Sequence, residues 1–108
     1  MKTLAAKIVA PRTFDFVEEE LPALGANDVL VRMDAVGLCH SDLPRYTGRA
    51  TIAVSSRGYR ESIPVTFPCM VGHEPVGTVV DIGSAVTRFA VGDHVTGHMP
   101  TCFRTHLV

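Results

Sequence analysis

The segment Val29-Leu30-Val31-Arg32-Met33-Asp34-Ala35-Val36 carries the clearest structural pattern in this chain. Its odd-numbered residues are apolar, whereas Arg32 and Asp34 between them are charged. Alternation with a period of two is typical of a strand that is buried on one side only. Cys39 follows just past the end of this strand, where a side chain can be aimed at a site.

Further strands are predicted along the second half of the chain. The apolar run from about Val76 to Ile82 predicts a strong strand, and Gly83-Ser84 after it is a turn signal. Gly92-Asp93 predicts another turn into a short strand around Val95. Such short strands predict a mainly β fold, although periodicity alone does not separate a small barrel from a sandwich.

One stretch has helical character. After Ser41, Pro44 suits the first turn of a helix and Gly48 suits its end. The sequence therefore predicts one or two short helices beside the strands.

Two short motifs place metal-binding side chains next to carboxylates: Gly37-Leu38-Cys39-His40-Ser41-Asp42-Leu43 and Gly72-His73-Glu74. Zinc accepts thiolate, imidazole and carboxylate ligands, and catalytic zinc usually has three protein ligands and one exchangeable position. Each residue alone has a plain structural explanation, because a free cysteine often only packs in a core. Together, Cys39 and His73 indicate two of the three ligands of a half-open zinc site.

The chain resembles the N-terminal, GroES-like catalytic domain of the zinc-dependent medium-chain alcohol dehydrogenases. The resemblance runs through nearly the whole chain and follows these landmarks in order: Lys7 to Pro11, Asp28 to Arg32, the two motifs, Gly77 to Gly83, and Val91 to Val95. It implies a partly open GroES-like β-barrel over residues 1–108 that is incomplete at its C-terminus.

The resemblance also implies roles for individual residues. Cys39 and His73 match zinc ligands, and Glu74 matches a carboxylate close to zinc that acts as an alternate ligand. Ser41 matches the hydroxyl that hydrogen-bonds the substrate oxygen and starts a proton relay, for which it can both donate and accept. His40 matches a position near the cofactor pyrophosphate or in the relay. Asp42 is expected to orient His73 by accepting its second N–H, which makes Ser41, His40 and Asp42 the candidate catalytic residues.

The implied activity is oxidation of a primary or secondary alcohol to an aldehyde or ketone with NAD or NADP, with zinc as a Lewis acid. The complete enzyme is expected to be a homo-oligomer. The sequence contains no Gly-x-Gly-x-x-Gly motif of a Rossmann cofactor domain. We therefore expect the 108 residues to be a fragment that needs the rest of the enzyme, binds zinc weakly and has little activity alone.

The chain departs from most relatives in three ways. The segment from Arg49 to Arg60 is longer, and it could cap a substrate pocket or be a surface insertion. Cys102 stands alone where many relatives have four cysteines, so we expect no structural zinc and interpret Phe103 to Val108 as the start of another strand. Cys69 could be an improvised third ligand, but a core position is the more ordinary explanation.

The remaining polar residues fit simpler explanations. His94, His98 and His106 have no partner pattern and are expected at the surface or in turns. The run from Glu18 to Glu20 is expected to be a solvated face.

Composition excludes several classes of protein. A net charge of −1 argues against nucleic acid as a partner, since phosphate binding needs a concentrated basic face. No apolar run approaches the ~20 residues of a membrane span. Three scattered cysteines do not resemble a disulfide framework, which favours the cytoplasm.

Two functions other than catalysis fit part of the sequence. One is a GroES-like binding or assembly module, which leaves the metal motifs unexplained. The other is a small zinc-binding protein that uses Cys39, Cys69 and His73.

Overall fold

The computed structural model describes residues 1–49, 51–54 and 56–108, with the backbone alone over 51–54. The chain is built mainly of antiparallel β-hairpins around one four-stranded sheet. The elements are β1 (Lys2–Ala10), β2 (Thr13–Glu20), β3 (Val29–Gly37), a 3-10 turn (His40–Asp42), α1 (Leu43–Thr47), β4 (Thr51–Val54), β5 (Arg60–Ile63), β6 (Glu74–Ile82), β7 (His94–Thr96) and β8 (His106–Leu107).

The central sheet has the strand order β7-β6-β3-β8, and all of its pairs are antiparallel. Val31 of β3 and Val79 of β6 are paired in register, and their exposed fractions are only 6% and 0%. The two residues thus form the middle of the core, and the predicted strands over Val29 to Val36 and Val76 to Ile82 are confirmed.

Gly77 allows β3 and β6 to approach closely. A Cβ atom at this position would lie 2.5 Å from the carbonyl oxygen of Arg32 and 2.5 Å from Cγ1 of Val31. A side chain at position 77 would therefore push the two central strands apart.

The first strand joins distant parts of the chain. Ala5 and Ile8 of β1 are fully buried. The backbone N–H of Ala6 donates to Phe103 at 2.8 Å, and Ile8 exchanges two backbone hydrogen bonds with Cys69. The β1–β2 hairpin is nevertheless a separate sheet, and within the described ranges no sheet closes into a barrel, in agreement with the partly open barrel that was predicted.

The predicted helical stretch is also confirmed. The 3-10 turn His40–Asp42 leads directly into α1, which carries Pro44 in its first turn. The helix ends at Gly48, whose φ of 78° is in the left-handed region that glycine adopts without steric cost. No helix within the described part of the chain is long and apolar enough to cross a membrane.

The segment from Arg49 to Arg60 contains β4 and ends at the first residue of β5, and these two strands form a hairpin. In it, β4 pairs with β5 in the register Thr51 with Ile63 to Val54 with Arg60. Ala50 and Ser55 lie outside the described residues. That this segment caps a substrate pocket stays a prediction.

Candidate metal centre

The pairing of β3 with β6 brings the two sequence motifs together. Gly37, the last residue of β3, is opposite Glu74, the first residue of β6. Cys39 follows β3 by two residues and His73 precedes β6 by one, so both lie at the same end of the antiparallel pair. Because strand pairing sets where Cys39 and His73 lie, their proximity does not depend on the length of the segment between them.

Asp42 holds the two motifs against each other. It is buried, with an exposed fraction of 3%. Its Oδ2 accepts a hydrogen bond from the backbone N–H of Cys39 at 3.1 Å, and its Oδ1 accepts one from the N–H of Gly72 at 3.3 Å. The same Oδ1 lies 3.5 Å from Nδ1 of His73. A single carboxylate therefore contacts both sequence motifs.

Gly72 is required by this close packing. Its φ is +93°, and a Cβ atom there would lie 2.3 Å from Cδ1 of Phe103. Both the backbone angle and the lack of space favour glycine next to His73.

The candidate metal ligands are Cys39, His73 and Glu74. Their donor atoms all lie within 4.8 Å of one another. Cys39 and His73 are half-buried, while Glu74 is exposed. Because Nδ1 of His73 faces Asp42, its Nε2 is left on the other side of the ring, 4.0 Å from Oε1 of Glu74. One sulfur, one imidazole nitrogen and one carboxylate oxygen are donors that suit zinc.

The other two cysteines differ from Cys39 in their surroundings. Cys69 is half-buried, its backbone pairs with Ile8, and in the described part of the chain it lies outside the metal-ligand group. Burial raises the pKa of the Cys69 thiol above 9.0. Burial likewise raises the pKa of Cys102, which is fully enclosed. Both side chains are therefore less readily deprotonated to the thiolate, which is the form that binds metal.

Ser41 and His40 lie on the 3-10 turn directly after Cys39. Both side chains are exposed to solvent. Their expected roles in a proton relay and at a cofactor stay predictions.

His98 is exposed, as the sequence predicted, and the structure places its ring beside that of His73. Its ring centroid lies 6.4 Å from that of His73, with an angle of 50° between the ring planes. This placement follows from the strand pairing: Val76 is opposite Thr96, so the residues that follow β7 run toward those that precede β6. Strand pairing cannot be read from the spacing of histidines.

A cavity of about 560 Å³ lies next to His98. Its walls are mainly apolar and come from β3, β7 and the C-terminal residues, with Val31 and Leu107 among them. His98 thus borders both the cavity and the ring of His73.

The run from Glu18 to Glu20 is only partly the solvated face that was expected. Glu18 and Glu20 are exposed, but Glu19 is half-buried and forms ion pairs with Lys7 and Arg104. The alternation of β2 places Glu19 on the same face of the hairpin as Thr3, its buried cross-strand partner, and a run of three identical residues conceals this alternation.

Comparison with known proteins identifies the family. The family model described as "Alcohol dehydrogenase GroES-like domain" matches residues 25–107 of this chain. "Putative alcohol dehydrogenase D" of Mycobacterium tuberculosis is 38% identical over 104 residues, which is 94% of this chain and 25% of that protein. L-threonine 3-dehydrogenase of Pseudoalteromonas atlantica is 36% identical over 97 residues, which is 90% of this chain and 26% of that protein.

A solved structure shows the same fold. The structure of CAD from Helicobacter pylori complexed with NADP(H) has a TM-score of 0.65 and 26% sequence identity, covering 90% of this chain and 25% of that one. The chain spans about a quarter of the length of the curated relatives that it matches. The sequence match and the fold lead to one conclusion: this chain belongs to the alcohol dehydrogenase GroES-like domain family, within the zinc-dependent medium-chain dehydrogenases.

Proposed function

We propose that Cys39, His73 and Glu74 bind one zinc ion and that the protein carrying this domain transfers hydride between an alcohol and NAD or NADP. The observation that supports this most is the group of three donor atoms within 4.8 Å at the end of the β3–β6 pair. Zinc, when bound, would supply a Lewis acid that favours loss of the alcohol proton. The substrate class is a primary or secondary alcohol and its aldehyde or ketone.

Asp42 orients the metal-binding histidine in this proposal. A carboxylate that accepts the Nδ1 proton of His73 leaves the lone pair of Nε2 free for a metal. The hydrogen bonds from Asp42 to the backbone at Cys39 and Gly72 fix both ligand segments at the same time.

Ser41 and His40 move the proton in this proposal. The Oγ of Ser41 accepts the proton of the alcohol and passes its own proton onward, as a hydroxyl can do. His40 is the next residue outward, and its imidazole can accept a proton on one ring nitrogen and donate one from the other. The exposure of both side chains supports a path to solvent.

The cofactor is NAD or NADP, bound by a Rossmann domain outside residues 1–108. The absence of a Gly-x-Gly-x-x-Gly motif from the 108 residues supports this placement, and the related structure complexed with NADP(H) supports the cofactor class. On this proposal the 108-residue chain alone binds zinc weakly and has little or no dehydrogenase activity. His40 lies next to the cofactor pyrophosphate when both domains are present.

Zinc stoichiometry of the 108-residue chain tests the site. At saturating zinc we expect one ion per chain, loss of that ion in Cys39→Ser and in His73→Ala, and its retention in the control His106→Ala. Circular dichroism checks that each variant is folded. Unchanged stoichiometry in both ligand variants would overturn the proposal.

A further inference from the structure

We propose that His98 is a fourth zinc ligand, so that this chain alone can close a tetrahedral site with Cys39, His73, Glu74 and His98. The inference rests on the zinc site proposed above and extends it by one residue. Three protein ligands leave one position of a tetrahedral zinc open, and structural sites fill that position with a further protein donor.

The β6–β7 pairing directs His98 toward this position. Val76 is opposite Thr96, and the Oγ1 of Thr96 donates a hydrogen bond to the carbonyl of Pro75 at 2.7 Å. If the antiparallel register is continued by two residues, position 98 falls opposite position 74. The loop after β7 thus reaches the end of the sheet where the other three donors lie.

The distance between the two imidazoles suits a shared ion. Two histidine rings bound to one tetrahedral zinc, each with a bond of about 2.0–2.1 Å, have centroids roughly 5 Å apart. The centroids of His73 and His98 are 6.4 Å apart, and the angle of 50° between the rings excludes parallel stacking. A small rotation of one side chain closes the difference.

His98 is free to make that rotation. Its side chain is exposed, and across the described ranges no hydrogen bond or ion pair holds its ring. By contrast, Nδ1 of His94 lies 3.3 Å from Oγ1 of Thr78, and Nδ1 of His106 lies 3.3 Å from Oγ1 of Thr105. The ring of His98 can therefore rotate toward the donor atoms of Cys39, His73 and Glu74.

His98 also borders the apolar cavity, so a closed site would lie next to it. As long as its imidazole occupies the fourth position, a substrate oxygen cannot take that position. Release of His98 would open the position on the side of the cavity. His98 would then determine whether the site is closed or accepts a ligand.

The test is metal binding by the 108-residue chain. Zinc affinity is measured by competition with a chelator, and the geometry of the site by the visible absorption of bound Co²⁺. We expect His98→Ala to weaken zinc binding at least tenfold and to reduce the intensity typical of tetrahedral Co²⁺. His94→Ala removes an exposed histidine from β7 and should leave both properties unchanged.

A rescue variant separates ligation from a structural effect. His98→Cys keeps a zinc donor at this position, so it should restore affinity and add thiolate-to-cobalt charge-transfer absorption. If His98→Ala binds zinc and Co²⁺ as the wild type does, the inference is wrong. The zinc site itself would still stand if Cys39→Ser and His73→Ala lose the ion, so the two proposals fail in distinguishable ways.

Discussion

Gly37 and Glu74 are opposite one another in the β3–β6 pair, and this pairing alone brings Cys39 and His73 to one end of the sheet. The residues that complete the arrangement come from outside the pair. Asp42 joins the two segments through its carboxylate, and His98 arrives from the loop after β7.

Asp42→Asn should weaken zinc binding about 10–100-fold, the range found when a group that orients a metal ligand is lost. An amide cannot accept hydrogen bonds from both Cys39 and Gly72, because one of its two polar atoms is a donor. The cost to folding is about 1–3 kcal/mol. Chelator competition and urea denaturation measure the two effects. The control is Asp15→Asn on exposed β2, and equal behaviour of the two variants would exclude this role of Asp42.

Gly72→Ala should destabilise the fold more than Gly92→Ala does. Both glycines have positive φ, at +93° and +97°, so both variants lose about 1–2 kcal/mol from backbone strain. Only at Gly72 does a new Cβ atom meet Phe103, at 2.3 Å, whereas nothing lies within 4 Å at Gly92. The clash adds about 1–3 kcal/mol. Chemical denaturation of the two variants gives the difference, and equal losses would contradict the packing described here.

Thr3→Val should cost about 1–3 kcal/mol of stability. The buried hydroxyl of Thr3 donates to the carbonyl of His106 at 2.9 Å and accepts from its N–H at 3.0 Å. Valine has nearly the same shape but leaves both backbone groups unpaired. Thr13→Val removes an exposed hydroxyl and should have a smaller effect. Thermal and urea denaturation compare the two, and a larger loss at Thr13 would contradict this prediction.

Glu19→Gln should flatten the dependence of stability on acid pH. The hydrogen bond from Lys7 holds the pKa of Glu19 below its ordinary value of 4.5. A carboxyl group whose pKa is lowered by folding stabilises the protein above its unfolded pKa, and this contribution is lost as pH falls through the folded pKa. The wild type should therefore lose more stability than Glu19→Gln between about pH 5 and the acid end of the titration.

Glu18→Gln is the matched control for this measurement, since it removes an exposed carboxylate from the same strand. The stability of each variant is measured by urea denaturation at several pH values. Parallel curves for the wild type and Glu19→Gln would show that the ion pairs of Glu19 do not couple folding to protons.

Zinc should protect Cys39 from alkylation. In the native chain at neutral pH, Cys39 should react first, because burial raises the pKa of Cys69 and Cys102 and leaves less reactive thiolate at those positions. Cys102, which is fully enclosed, should react only on unfolding. Peptide mass analysis after treatment with iodoacetamide, with and without zinc, gives the order. Protection of Cys69 in place of Cys39 would favour a metal-sequestering function.

Local patterns predicted a large part of this structure. The alternation from Val29 to Val36 and the signals at Pro44 and Gly48 each depend on residues close in sequence, and all three are confirmed. The candidate ligands Cys39 and His73 could also be picked out from the sequence, since both belong to recognisable motifs. The β3–β6 register brings these motifs together.

Contacts that depend on strand pairing were not predictable in this way. Glu19 is half-buried because β1 pairs with β2, and His98 approaches His73 because β7 pairs with β6. Neither pairing leaves a trace in the spacing of the residues concerned. The hydrogen bonds of Thr3 to His106 depend in the same way on a contact across almost the whole chain.

This last contact has a consequence for the order in which the protein folds. Thr3 and Thr105 approach to 3.3 Å although 102 positions separate them, so β1 can reach its final place only after the C-terminal residues exist. Contacts between residues so far apart in sequence are costly to close and form slowly. On the ribosome, β1 is therefore synthesised long before its partners among residues 103–106, and its contacts with them are among the last that the described chain can form.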